Sequence, residues 1–320
     1  CSTAFSPICE RIRKRFNEDP SAGETQLISL ASWRSWSCIS GSPWTRLTMR
    51  PRWTAGRASI SCAQRSTFSA TLLTLLLAGL FLPLFPLSMG FNFLLWRTRH
   101  VALRVLLLLW PLAGLVLLRN HEIVIPDWIA PLSLFTSALY AFRALALRDI
   151  GEWSGFLATS SWALLWIPLQ QGTPIPTVAL YALAFSLPLV LLLFLAAGLE
   201  RRFGAACTGL YGGLAESMPR LATLLVLVLL AIMATPVFPA FFIMIATILQ
   251  AMSAMPVIAA GVVGIWLLWS WAGAWLLQGL VAGDPGEARV ADLRTGATLD
   301  YAVAIVLLVA AGLYGMGELL

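Results

Sequence analysis

From Phe68 onward, long uncharged apolar runs alternate with short segments that hold nearly all of the charge. A helix needs about 20 apolar residues, within a range of about 17–25, to cross the hydrocarbon of a bilayer. Runs of this kind lie at 68–91, 101–118, 128–147, 154–170, 177–199, 221–249, 255–281 and 301–317. The pattern predicts an all-α, polytopic transmembrane helix bundle of about eight spans. Two of the runs carry paired prolines: Pro83 and Pro86 in "LFLPLFPLSMGF", and Pro236 and Pro239 in "ATPVFPAFF". Proline removes a backbone donor and clashes with the preceding turn, so both spans are expected to be Pro-broken. In hydrocarbon, interrupted backbone survives only where protein or enclosed water satisfies the freed polar groups. The two broken spans stand five apart and therefore cross in opposite directions. An inverted repeat with one discontinuous helix in each half has that arrangement; ordinary kinks are the plainer reading of the same prolines.

Loop charge supports the count. With eight crossings, the loops at 92–104, 148–153, 200–220 and 282–300 share one side. They hold Arg97, Arg99, Arg104, Arg148, Arg201, Arg202, Arg220, Arg289 and Arg294. The loops at 119–127, 171–176 and 250–254 hold only Arg119. The positive-inside rule then places the arginine-rich loops in the cytoplasm.

Composition changes the picture only at the start of the chain. Of 320 residues, 59% are hydrophobic and 11% charged, with a mean hydropathy of +0.83, which excludes an ordinary soluble domain. The net charge of +6 arises entirely in residues 1–66, where ten basic residues face four acidic ones. Residues 67–320 balance at eleven against eleven. Nucleic-acid binding is therefore not the expected meaning of the pI of 9.4. Two domains are expected. Residues 1–66 form a basic, Ser/Arg/Trp-rich segment without sustained periodicity, disordered or non-native, and 67–320 form the membrane domain. A secretory leader is not expected at 1–66, because the basic part runs long before any apolar core. With two histidines, no CxxC pair and no nucleophile beside a base, neither a metal, a cofactor nor a catalytic site is expected.

Five pieces then follow one another: "LPLFPLS" (82–88), "LAGLVLLR" (112–119), "LALRDIGEWSG" (145–155), "YGGLAESMPRLAT" (211–223) and "DLRTGATLDYAVAIVLLVAAGLY" (292–314). Together they resemble the back half of the antiporter-like subunits of respiratory NADH:quinone oxidoreductase, Mrp cation/proton antiporters and membrane hydrogenases. "GGLAESMPRLAT" is the most specific piece, and the resemblance covers residues 78–320. It implies a partial antiporter-like fold: the last eight of fourteen spans built as two inverted five-helix repeats. It also implies proton or cation transport inside a larger complex of a bacterial-type inner membrane. The implied partners are the lipid bilayer and other membrane subunits, with no nucleic acid.

Carried over position by position, the family's ionisable groups are absent. The lysine expected two residues before the first proline is Phe81, and the histidine closing that motif is Ser88. The lysine of the next span falls at Trp110 or Pro111. The histidine of the fifth span falls at Phe185. The lysine or glutamate of the sixth falls at Met244 or Ile245. Arg148 alone keeps a basic residue where the family has one. The only lysine of the chain is Lys14, outside the match.

The residues themselves agree. No charged residue lies between Glu152 and Glu200, nor between Arg220 and Asp284. Ser154, Thr159, Ser160, Ser161 and Tyr181 could order water but cannot trap a proton near neutral pH. Arg143 is the one charge well inside a span, and it is expected to snorkel to the cytoplasmic end. His121 and Glu122 read as a solvated helix end. The expected function is that of a membrane subunit resembling the proton-translocating ones, degenerate in its own path. The alternative is a structural membrane partner of a soluble enzyme, as in an inorganic-carbon uptake complex.

Overall fold

A computed structural model of the chain describes residues 73–98, 100–121, 125–208, 213–281 and 292–319. The segment at 1–66, Glu122 and the side chain of His121 lie outside the described residues. Secondary structure among the described residues is helical, apart from one isolated antiparallel bridge between Asp149 and Cys207.

Among the described residues, eight rods follow in chain order. The first joins α1 (73–81) to α2 (Ser88–Arg97). The second joins α3 (Val101–Leu108) to α4 (Trp110–His121). The third is α5 (Ile129–Ala144), and the fourth joins α6 (Ile150–Leu164) to α7 (Trp166–Gln170). The fifth is the unbroken α8 (Ile175–Phe203). After the short α9 (Leu214–Ser217), the sixth joins α10 (Pro219–Ile232) to α11 (Pro239–Ala254). The seventh and eighth are α12 (Pro256–Val281) and α13 (Thr295–Leu319). Among the described residues, four stretches are long and apolar enough to cross a bilayer: Val101–Asn120, Ile175–Phe203, Pro256–Val281 and Thr295–Gly315. The first, fourth and sixth rods reach spanning length only as two shorter helices in series.

Proline position decides where the helices stop. Pro83 and Pro86 both fall in the turn between α1 and α2. Pro236 falls in the turn after α10, and Pro239 opens α11, where its missing N–H costs nothing. Pro219 and Pro256 open their helices in the same way. The lone Pro188 stays inside α8 without ending it.

The loops fall into the two sets that the charge pattern predicts, and each set is bonded within itself. At one end Arg104 meets Glu200 at 3.7 Å, and the Thr208 amide donates to the Arg148 carbonyl at 2.8 Å. At the same end the Arg220 amide donates to Asp292 at 3.0 Å. At the other end Gln170 donates to Asp127 and Thr173 to Gln250, each at 3.3 Å. Those pairings require consecutive rods to alternate in direction. Caps hold the ends: the Asp149 side chain accepts from the Glu152 amide at the start of α6. Asp292 caps α10 from 72 residues away, accepting from the amides of Arg220 and Leu221.

At the centre, α8 packs against α3, α4, α6, α7, α10 and α11. Trp153, Trp162, Trp166 and Trp269 are among the largest fully buried side chains. The outward faces are as apolar as the interior: Val257 is 80% exposed and Leu267 66%. Helices that are hydrophobic all round belong in hydrocarbon. The structure so bears out an all-α membrane bundle with two proline-broken rods.

Candidate functional site

The first break is the place to look for chemistry, because two prolines there strip the helix of donors in adjacent turns. Pro83 leaves the Gly79 carbonyl without its usual partner. The Leu84 amide takes that carbonyl instead, at 2.9 Å, and so abandons Leu80. The indole N–H of Trp110 fills the vacancy at Leu80, at 3.3 Å. Pro86 likewise orphans the Leu82 carbonyl, and the indole N–H of Trp166 donates to it at 3.1 Å. The Phe85 amide donates to the Thr136 hydroxyl at 3.0 Å. The Leu80 and Leu82 carbonyls and the Phe85 amide are thus met by neutral side chains from neighbouring rods, and the Gly79 carbonyl by the Leu84 amide.

A ladder of uncharged polar groups leads from this break toward the arginine-rich end. The hydroxyls of Ser88 and Tyr140 lie 3.0 Å apart. One turn on, the Asn92 amide group donates to the Ser88 carbonyl at 3.1 Å and to the Thr159 hydroxyl at 2.8 Å. Thr136 and Tyr140 share one stripe of α5, and Ser88 and Asn92 one stripe of α2, because residues four apart meet on a helix face. Deeper in the bundle, Ser137 and Ser160 lie 2.9 Å apart, and Ser160 accepts from the Trp269 indole at 2.9 Å. Trp162 donates to Ser186 at 3.1 Å. Several of these hydroxyls also bond the carbonyl three or four residues back, as Thr136 does to Leu132 and Thr159 to Gly155. Such groups exchange hydrogen bonds but carry no net charge near neutral pH.

The residues singled out in the sequence fall as follows. Phe81 ends α1, and its ring packs against Trp110, tilted by 40° with centroids 4.7 Å apart. Pro111 is buried beside Trp110. Ser88 is fully buried at the first turn of α2. Phe185 is buried in α8, edge-on to Trp269 at 5.9 Å. With Leu157, Ser161, Leu189 and Ile232, these two rings line a cavity of about 10 Å³. That is roughly the room one water requires. Met244 is buried in α11 and Ile245 half-buried beside it. The structure therefore brings Phe81, Trp110 and Pro111 together at the first break. Phe185 lies at the cavity on α8, and Met244 and Ile245 on α11.

Two arginines complete the set. Arg143 is exposed in the last turn of α5, with its guanidinium carbon 5.3 Å from the Phe156 ring centre. Arg148 is exposed in the segment between α5 and α6. Among the described residues, no group of three or more His, Cys, Asp or Glu could hold a metal.

Sequence reasoning missed Trp166, Trp266, Thr136, Tyr140 and Asn92. The only signal was an unusual supply of tryptophan, 14 in the chain, at depths where an indole N–H needs an acceptor.

Neither a protein-family model nor a curated protein matches this sequence. Solved membrane complexes do match in structure. A chain of respiratory complex I from Thermus thermophilus with bound NADH superposes with a TM-score of 0.67 at 24% identity, over 78% of this chain and 55% of that one. A chain of the Mrp complex from Dietzia sp. DQ12-45-1b gives 0.66 at 17%, over 82% and 59%. A chain of the membrane-bound sulfane sulfur reductase, an archaeal respiratory membrane complex, gives 0.65 at 15%, over 75% and 52%. The chain spans a little over half the length of these three, and at such identities the likeness is one of fold.

Proposed function

We propose that this chain, which has the fold of the antiporter-like membrane subunits of such complexes, serves as a membrane subunit of a larger ion-translocating assembly and does not itself relay protons. The observation that carries the reading is the packing of the Phe81 ring against Trp110 at the first break. A proton relay needs titratable groups or a file of water at depth. Two aromatic rings in contact supply neither, and the cavity beside Phe185 has room for about one water. The hydroxyl and amide ladder from Ser88 to Thr159 can pass a hydrogen bond along but cannot store the charge. In this reading the chain lies in a bacterial-type inner membrane with its arginine-rich loops toward the cytoplasm, and other membrane subunits cover part of its apolar exterior. The missing ionisable side chains leave it a sealing and partner-holding part of the assembly.

The test is proton flux into liposomes that hold the purified full chain and no other subunit, driven by a potassium diffusion potential. The expected rate equals that of protein-free liposomes. Flux well above that level, lowered by Ser88→Ala or Tyr140→Phe, would mean that the polar ladder conducts and that the reading is wrong.

A further inference from the structure

The second break repeats the hydrogen-bond solution of the first. Pro236 removes the usual donor for the Ile232 carbonyl. The chain turns locally: the Thr235 amide and hydroxyl both bond back to the Leu230 carbonyl, at 3.2 and 3.0 Å, and the Phe238 amide takes Thr235 at 3.3 Å. Val237, which would have bonded Met233, sits at φ 92° and turns away. The indole N–H of Trp266 bonds the Met233 carbonyl in its place, at 3.0 Å.

The match between the breaks is positional. Leu80 lies three residues before Pro83, and Met233 three residues before Pro236. Each takes an indole N–H from the rod that follows the broken one: Trp110 on the second rod, Trp266 on the seventh. Each break is also seated on a glycine. At Gly114 of α4 a side-chain carbon would collide with Leu82 and Phe81. At Gly312 of α13 it would collide with the backbone from Val237 to Pro239. Hydrogen bonds to water would tie the orphan carbonyls loosely, and a charged side chain would tie them only in one protonation state. A tryptophan N–H is neutral at every accessible pH and donates from a large ring with few rotamers.

We infer that the two helix breaks are static joints rather than hinges, each closed by an indole donor from the following rod and pressed against a glycine of a neighbouring helix. The inference deepens the reading of a non-relaying subunit but is carried by different atoms. Flux through locked joints would overturn that reading and leave this one standing. Mobile joints without flux would do the reverse.

Hydrogen–deuterium exchange of the full chain in lipid nanodiscs, read by mass spectrometry on peptides covering 80–88 and 233–240, tests it. In the native chain both breaks are expected to exchange within about threefold of the flanking apolar helices. Trp110→Phe keeps an aromatic ring and removes the N–H, leaving a buried carbonyl unsatisfied. It should speed exchange at the first break by about tenfold and leave the second unchanged. Trp266→Phe should do the converse. Trp162→Phe loses an indole bond whose acceptor, the Ser186 hydroxyl, is not a carbonyl of either break, and should alter neither. Native breaks that already exchange far faster than their flanks would establish hinges and overturn the inference, with no variant needed. So would indole substitutions that leave their own break unchanged, or a Trp162→Phe chain in which both breaks loosen alike.

Discussion

A single side chain decides what the first break can do. Phe81 lies against Trp110, beside the glycine that lets α4 approach. A lysine placed there would find the aromatic face of Trp110, while Glu152, the carboxylate of the neighbouring fourth rod, sits in the first turn of α6 at the arginine-rich end. Cation–π attraction to a desolvated indole supplies about 2 kcal/mol. Placing the ammonium at depth costs roughly 2.5–3.5 kcal/mol on insertion scales. The cost wins, so Phe81→Lys is expected to lower the yield of membrane-integrated protein and its melting temperature without creating transport. Normal yield and a native melting temperature would show that an unrecognised partner receives the charge. At this scale the sequence was half legible. Phe81, Trp110 and Phe185 stood out as apolar residues at suspect positions. The donors that close the break did not, because Trp166 and Leu82 lie 84 residues apart in the chain and the pairing exists only after folding.

Paired prolines made the two broken rods readable, since removing donors in adjacent turns lets the chain leave the helix. The lone Pro188 costs one bond, and α8 absorbs it within 29 residues. What the sequence could not disclose is which neighbour each break rests on. That dependence separates two glycines of the second half. A carbon added at Gly312 would meet backbone from Val237 to Pro239, which cannot step aside without reopening the turn. A carbon added at Gly273 would meet the thioether end of Met233, a flexible side chain that can move. Overpacking costs about 1–3 kcal/mol where nothing yields. Gly312→Ala should therefore lower the melting temperature of the purified chain by several degrees, and Gly273→Ala by distinctly less. Equal losses would mean that α13 does not seat the break.

Across the whole bundle, the agreement between charge and geometry carries the most weight. Loop arginines alone gave two sets of loops, and bonds between distant loops reproduce both sets: Arg104 with Glu200 and Arg220 with Asp292 at one end, Asp127 with Gln170 and Thr173 with Gln250 at the other. Geometry fixes which loops lie together, and only the arginine bias says which end faces the cytoplasm. Sidedness can be measured at two small, exposed positions. Ser253 lies near the end of α11 in the arginine-poor set, and Ala215 lies in α9 in the arginine-rich set. In a chain whose native cysteines are replaced by serine, Ser253→Cys should react with an impermeant maleimide in intact cells. Ala215→Cys should react only after permeabilisation. The reverse pattern would turn the bundle over. Reaction at both sites in intact cells would break the even number of crossings, because the sixth rod alone separates them and its two helices would then have to form a re-entrant loop instead of one broken span.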